Sequence, residues 1–443
     1  MRAKRRCKAT VPITALLPVV LCASTITAAP GDTRICNTLG NKPAAVVFVS
    51  DDGFWNSTAF YDSCWRELDL VGTIAFVPGW VEDEDGNPLV TITDGPNIGL
   101  SHGTWAQWRE LIAGGHTEVE SHTFSHANVT QIDNPDQLEH EIAGSKRLID
   151  DSIPGYHTVA FLCPQGSCND AAIDMARESG YYSVRGGWKG QFIPLDPESG
   201  WYWGFPRQQL MSGTAVSTAN AWVDEAIAEG KWFMECFHGA DDEGYEPLPR
   251  EWFREHWTYV AGHKDQIWNP SYGQIVRYFY EQDNAVIDVR SIDGNSMELS
   301  ITDGLPDEIF NHPLTIRMEV AEGWTNVHVV QAGQLQVCEP VDESGTFCIY
   351  FDAVPDAGII DIRNDGVTSV RDHAEAAPFT QPLVDMYDTR GHGLISTSTK
   401  RLAFDIAGRM IAPHGMRRSD GTNRIVIWRE AQGAVTRVLR PVR

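Results

Sequence analysis

The chain has 443 residues, 60 of them acidic and 35 basic, for a formal net charge of -25, and 42% of its residues are hydrophobic. That length exceeds one ordinary core and calls for two or three domains. A charge of this sign repels nucleic acid and polyanionic glycans, so nucleic-acid partners are excluded and neutral or weakly cationic substrates are favoured.

The first residues, MRAKRRCK, are basic, Ala9 to Ser24 are mostly apolar, and Thr27-Ala28-Ala29 supplies a small-residue exit. Together they predict a secretory signal peptide over residues 1–29, cut near Ala28 or Ala29. The apolar stretch is short for a span and holds Pro12 and Pro18, and no later segment could cross a bilayer. The chain is therefore expected to be secreted or held at a bacterial cell surface. Export leaves seven of the nine cysteines in an oxidising compartment. Cys338 with Cys348 is the pairing best supported by position, ahead of Cys163 with Cys168 and Cys36 with Cys64.

Residues 44 to 290 alternate strand-like and helix-like segments. AAVVFVS (44–50) precedes a helical stretch, then come the strand GTIAFVP, a helix within SHGTWAQWRELIAGG and the strand HTEVESH. Asn134 is an N-cap before Pro135, and Leu138, Ile142 and Ile149 fall on one stripe of the helix that follows. HTVAFLCP, AAIDMARESG, YYSVRGG, TANAWVDEAIAEG and KWFMECFHG continue the alternation, and two helical stretches and AVIDVRS close it. So many βα units in one domain predict an α/β fold, a closed, distorted (β/α) barrel over residues 30–290. From Ser291 the runs LTIRMEV, NVHVVQA, FCIYFDA and GIIDIRN alternate apolar and polar residues with frequent turns, predicting an Ig-like β-sandwich over 291–365. Residues 366–384 read as a linker and 385–443 as a C-terminal β module. From Lys400 onward that module has ten basic and three acidic side chains, and it suits sorting or attachment at the cell surface.

Barrels keep working residues at the carboxyl ends of their strands. The first strand ends in Asp51-Asp52-Gly53, and the third delivers His122 and His126 at an i, i+4 spacing. Two imidazoles and a carboxylate form a common ligand set for catalytic zinc. Taken singly, a DDG triplet is usually a solvated turn and an HxxxH pair usually packing; their joint place on strand ends makes them a candidate site. His102, His116 and His140 have no partner at ligand spacing and read as structural or solvated. Glu235, Cys236 and His256 read as buried supports.

These residues carry a resemblance to the polysaccharide deacetylases, the NodB-homology proteins of carbohydrate esterase family four. VSDDG matches the first motif of that family, His122-Thr123-Phe124-Ser125-His126 the second, Cys163-Pro164-Gln165-Gly166 the third, and the histidine closing WFMECFHG, His238, the last. The resemblance implies that Asp52, His122 and His126 hold a divalent metal ion, zinc foremost, while Asp51 acts as base and His238 as acid. It further implies an oxyanion contact at Pro164 and Gln165 and an acetylated polysaccharide or oligosaccharide as substrate. Trp188, Trp201 and Trp203 are candidate sugar-stacking rings in a glycine-rich segment. Two departures stand out. Leu162 replaces the arginine that orients the base in many relatives, and the aspartate-tryptophan motif that supports the acid has no clean counterpart, with Arg185, Trp188 and Asp196 in its region. The alternative function is therefore a catalytically silent barrel that binds glycans. An O-acetyl ester, as in acetylated xylan, and an N-acetyl group of chitin or peptidoglycan are both open as the bond cut.

Overall fold

The computed structural model describes residues 31–93 and 95–364, and beyond them only short strand pairs between 396 and 439. The signal-peptide segment, the linker and nearly all of the C-terminal module lie outside the described residues.

In chain order the first elements are β1 (Thr33–Ile35), β2 (Ala44–Asp52), α1 (Trp55–Leu68), β3 (Gly72–Phe76), α2 (Trp105–Ala113) and β4 (Thr117–Ser121). Next comes α3 (Pro135–Glu139), which passes through a π turn (His140–Gly144) into α4 (Ser145–Ser152). β5 (Ala160–Leu162), α5 (Asp170–Glu178), β6 (Ser183–Lys189), β7 (Ile193–Pro194), β8 (Phe205–Gln209) and α6 (Val216–Glu229) follow. β9 (Lys231–Phe237), α7 (Arg250–Ala261), β10 (Ile267–Trp268) and α8 (Tyr272–Asn284) complete this body. β2, β3, β4, β5, β6, β8 and β9 pair in parallel in that order, and β9 pairs back to β2, closing a seven-stranded barrel. The distorted (β/α) barrel read from the sequence is therefore the fold. Its distortion shows between β4 and β5, which share a single register pair, Ser121 with Phe161, and between β6 and β8, where the register shifts between Arg185 and Lys189.

All nine residues of β2 are buried, which is why the strand reads as a continuous apolar run rather than an alternating one. Ala45, Val47 and Val49 join one core with Tyr272 and Tyr278 of α8, while Val46 and Phe48 face the helices outside, where Phe48 meets Trp65 and Trp257. This puts Asp51, next in the inward series, at the mouth of the barrel interior. The first turn of α1 has no side-chain cap of its own. Glu243, from the loop after β9, accepts from the Ser57 backbone N–H and from Asn56 Nδ2, both at 2.8 Å, and so fixes that loop beside the mouth.

The remaining strands are β11 (Val286–Ile292), β12 (Ser296–Thr302), β13 (Leu314–Glu319), β14 (Val327–Gln331), β15 (Gln334–Cys338), β16 (Val341–Glu343), β17 (Thr346–Ala353) and β18 (Ile360–Asn364). They form two antiparallel sheets, β1-β13-β17-β16 and β11-β12-β18-β14-β15. Two of these strands come from the stretch that the sequence assigns to the barrel. β1 pairs with β13 at Thr33 with Met318, and β11 opens at Val286. A three-residue strand has no periodicity of its own, and its partner lies far along the chain.

α8 joins the two bodies. Tyr278 donates to the Cys36 carbonyl at 2.8 Å, Arg277 Nε to the Ile309 carbonyl at 3.1 Å, and Glu281 Oε1 accepts from the His312 backbone N–H at 2.9 Å. Burial pushes the Glu281 carboxyl up to about 8, against the pull of that N–H. A carboxyl raised in the folded state contributes stability that is complete below its unfolded value and is lost as pH rises through the folded one. Glu281→Gln should therefore flatten the fall in melting temperature between pH 5 and pH 9, removing a cost on the order of a few kcal/mol at the alkaline end. An unchanged slope in the variant would show that this carboxyl does not titrate at the junction.

Candidate active site

Asp51 and Asp52 end β2 and diverge. Asp52 adopts a left-handed φ of 80°, which turns its carboxylate away from the strand's alternation, and Thr123, His126 and Gln165 also have positive φ at 63°, 64° and 57°. Such conformations cost of order 1–3 kcal/mol each and persist only where the surroundings hold them.

Asp52 Oδ1 is 3.2 Å from His126 Nε2 and 3.7 Å from His122 Nε2, and it is buried with no hydrogen bond of its own among the described residues. The other oxygen, Oδ2, accepts from Asn97 Nδ2 at 3.2 Å. His122 Nδ1 is 2.6 Å from the Leu162 carbonyl. A carbonyl only accepts, so Nδ1 carries the proton and Nε2 keeps its lone pair toward Asp52. Burial holds His122 down to about 3, so the ring is neutral, as a ligand must be. His126 goes the other way: burial alone would depress it, but the Asp52 carboxylate outweighs that and raises it. The Trp80 ring lies between His126 and His102, with centroids at 5.3 and 4.9 Å. One ligand atom from each of Asp52, His122 and His126 lies within 4.8 Å of the others. A buried carboxylate oxygen without a partner, facing two imidazole nitrogens, fits a divalent cation with zinc's preferences.

Asp51 is held differently. Arg185 of β6 grips it with two parallel bonds, Nη1 to Oδ1 at 2.5 Å and Nη2 to Oδ2 at 2.8 Å. Cys236 Sγ lies 3.4 Å from Oδ2. Burial pushes that thiol up to about 12, so it remains an S–H donor. Burial by itself would raise the Asp51 carboxyl, but the Arg185 guanidinium, with His122, holds it well below the usual carboxylate range. The absence of the base-orienting arginine, expected from Leu162, is corrected here. Leu162 is the register partner of Arg185 on the neighbouring strand, so the guanidinium arrives one strand further round the barrel. The separation of 134 residues between Arg185 and Asp51 hides this pair from any local motif.

His238 follows β9, and its backbone carbonyl accepts from Ser50 Oγ at 2.8 Å and from Tyr61 at 2.9 Å. Its Nδ1 is buried without a partner among the described residues, and its ring meets the edge of the half-exposed Tyr245 at 5.4 Å. Pro164 and Gln165 form a 3-10 turn, bridged across by a Cys163–Cys168 disulfide, with Gln165 Oε1 accepting from Asn128 at 2.9 Å. Gly166 is required there: a Cβ would fall 2.3 Å from the Arg207 guanidinium, which donates to the Gly186 carbonyl. Among the described residues the other cysteines, Cys36, Cys64, Cys236, Cys338 and Cys348, are free thiols, so the Cys338–Cys348 and Cys36–Cys64 pairings are not formed.

Trp201 and Trp203 lie away from Asp51 and Asp52. Trp188 lies on β6, and its side chain is outside the described residues. Trp201 and Trp203 sit in a 3-10 turn that leads into the first residue of β8, at the end of the barrel away from Asp51. Both pack onto hydrophobic core, Arg177 covers the Trp203 ring at 4.4 Å, and the intervening Tyr202 is tied to Asp283 at the end of α8. Part of their large apolar area is used in packing.

A carboxylate–imidazole–imidazole cluster that could hold a metal ion and an arginine-gripped carboxylate thus lie together at the carboxyl ends of parallel barrel strands. The family described as polysaccharide deacetylase matches residues 39–184. Over this segment, about a third of its length, the chain is similar to the polysaccharide deacetylases. Arg185 and His238 lie beyond the matched segment. A gellan lyase from Bacillus sp. is 26% identical over 336 residues, which cover 65% of this chain and 13% of that protein. Two solved structures are also similar. The Xyl-CE4 domain of a multidomain xylanase from the hindgut metagenome of Trinervitermes trinervoides is 11% identical, with a TM-score of 0.34, covering 52% of this chain and 89% of that one. A de-N-acetylase from Aggregatibacter actinomycetemcomitans is 26% identical, with a TM-score of 0.28, covering 34% and 64%.

Proposed function

We propose that this chain is an exported bacterial deacetylase that removes acetyl groups from a polysaccharide with water activated at a divalent metal, zinc. The observation that carries the reading is the unpartnered Asp52 Oδ1 facing the Nε2 atoms of His122 and His126. An ion held by these three residues supplies Lewis acidity and a water that is acidic near neutral pH. Asp51, locked in place by Arg185, takes the proton of the attacking water. The backbone N–H at Gln165, presented by the left-handed turn, is the donor for charge developing on the acetyl oxygen. His238 gives a proton to the departing group. Export is supported by the basic, apolar and small-residue order of residues 1–29, and attachment at the cell surface by the basic tail.

The grip of Arg185 on Asp51 favours the enzyme over a silent glycan-binding barrel, because the missing arginine that suggested the latter is supplied from β6. His238 bears on the bond cut. Among the described residues nothing holds its ring through Nδ1, so the acid lacks the brace that protonating an amine leaving group demands. An alkoxide leaves with less protonation, so O-acetyl esters are the favoured substrates. Acetate release from acetylxylan, chitin oligosaccharides and peptidoglycan, with zinc-loaded protein beside a chelated control, tests both levels. Release from acetylxylan that chelation stops is expected. Tight retention of a polysaccharide with no acetate released from any substrate would leave the silent barrel standing, and turnover of chitin oligosaccharides as fast as acetylxylan would reject the ester preference.

A further inference from the structure

We infer that Asn97 is a positioning residue of the metal centre, the group that holds Asp52 so that only Oδ1 is presented to the ion; this rests on the metal-dependent reading above. After a 3-10 turn at Pro78–Trp80 the chain runs on to α2 with neither a helix nor an extended strand among its described residues and returns to the site. Both ends of this strap are tied down: Val90 N–H donates to the Gly79 carbonyl at 2.7 Å, Glu82 N–H to the Gly103 carbonyl at 2.8 Å, and His102 N–H to Glu82 Oε1 at 2.9 Å. Asn97 is the strap residue that reaches Asp52, and its side chain is buried, while the adjacent Ile98 is 55% exposed.

The orientation of the amide follows from its partner. A carboxylate oxygen accepts only, so Nδ2 must face Asp52 Oδ2, and Asn97 Oδ1 is left buried without a partner among the described residues. An unpaired buried acceptor costs about 1–3 kcal/mol. A residue kept for packing alone would avoid that cost by being apolar. Occupation of Oδ2 by Asn97 also explains why Asp52 turns its other oxygen to the two imidazoles, since both oxygens otherwise compete for the same place. The His122 ligand has the corresponding support in the Leu162 carbonyl, so two of the three ligands are fixed from behind.

Supports of this kind typically change metal affinity by about 10–100-fold when removed. The test is zinc affinity of the metal-stripped full chain, measured by competition with a chromophoric chelator, for wild type, Asn97→Leu, Asn97→Asp and Ile98→Ala. Asn97→Leu, which keeps the branched four-atom side chain without its polar groups, should weaken zinc by about 10–100-fold. Asn97→Asp, which sets a second negative charge against Asp52, should alter affinity without restoring the wild-type value. Ile98→Ala should match wild type. The melting temperature of metal-free Asn97→Leu should stay near that of metal-free wild type, separating a role at the metal from one in the fold. Asn97→Leu binding zinc as tightly as wild type would overturn the assignment. Equal weakening by Ile98→Ala would assign the effect to the strap as a whole and reject Asn97. A wild-type chain that takes up no zinc would overturn the metal-dependent reading together with this inference.

Discussion

Asp52→Ala and His122→Ala should each abolish both bound metal and acetate release, whereas Asp51→Asn should keep the metal and lose turnover by about 100-fold or more. The asymmetry follows from two adjacent carboxylates with different partners. Asp52 faces His122 and His126 and has an oxygen to spare for an ion. Asp51 is outside that cluster and is gripped by Arg185 through one N–H to each oxygen, which leaves Oδ1 a lone pair for a proton. An amide in place of Asp51 keeps the shape and removes proton acceptance. Metal content by mass spectrometry beside acetate release separates the two roles. Loss of metal in Asp51→Asn, or metal retained in Asp52→Ala, would reverse the assignment of the pair.

Arg185→Leu is expected to be the most damaging single change at the site. The guanidinium is fully buried against a buried carboxylate. Removing one partner of such a pair leaves an uncompensated charge and costs about 3–5 kcal/mol. A cost of that size threatens the fold, so activity loss alone would not establish the role. Leu162→Arg made in the same chain supplies the control, because Leu162 is the register partner of Arg185 on the next strand and both belong to the barrel interior. The double variant should recover part of both melting temperature and kcat, with KM little changed, because the guanidinium returns to Asp51 from the neighbouring strand. Recovery of stability without any recovery of kcat would make Arg185 a structural counter-charge only.

Much of this barrel is legible because its strands are buried on both faces and its helices carry one apolar stripe, so each βα unit announces itself locally. The candidate site is legible for the same reason: Asp51-Asp52 and His122…His126 sit at the ends of those runs. The features that escape are the ones made by distant partners. Arg185 reads as one basic residue in YYSVRGG until the register sets it beside Leu162 and across from Asp51. Asn97 sits in a strap with no periodicity, and only its hydrogen bond gives it meaning. β1 is three residues long and finds its sheet beyond the barrel. Trp201 and Trp203 are a further case, because aromatic rings in a glycine-rich segment give no sign of the core they pack on until that core is seen.

The account stands on one ion among three side chains. Anomalous diffraction recorded on either side of the zinc absorption edge, from crystals of the zinc-loaded chain, tests it most directly. It predicts a single strong peak bounded by Asp52 Oδ1, His122 Nε2 and His126 Nε2, with Asp51 still joined to Arg185. A map with no peak there, or with the ion bound by Asp51 instead, would contradict it.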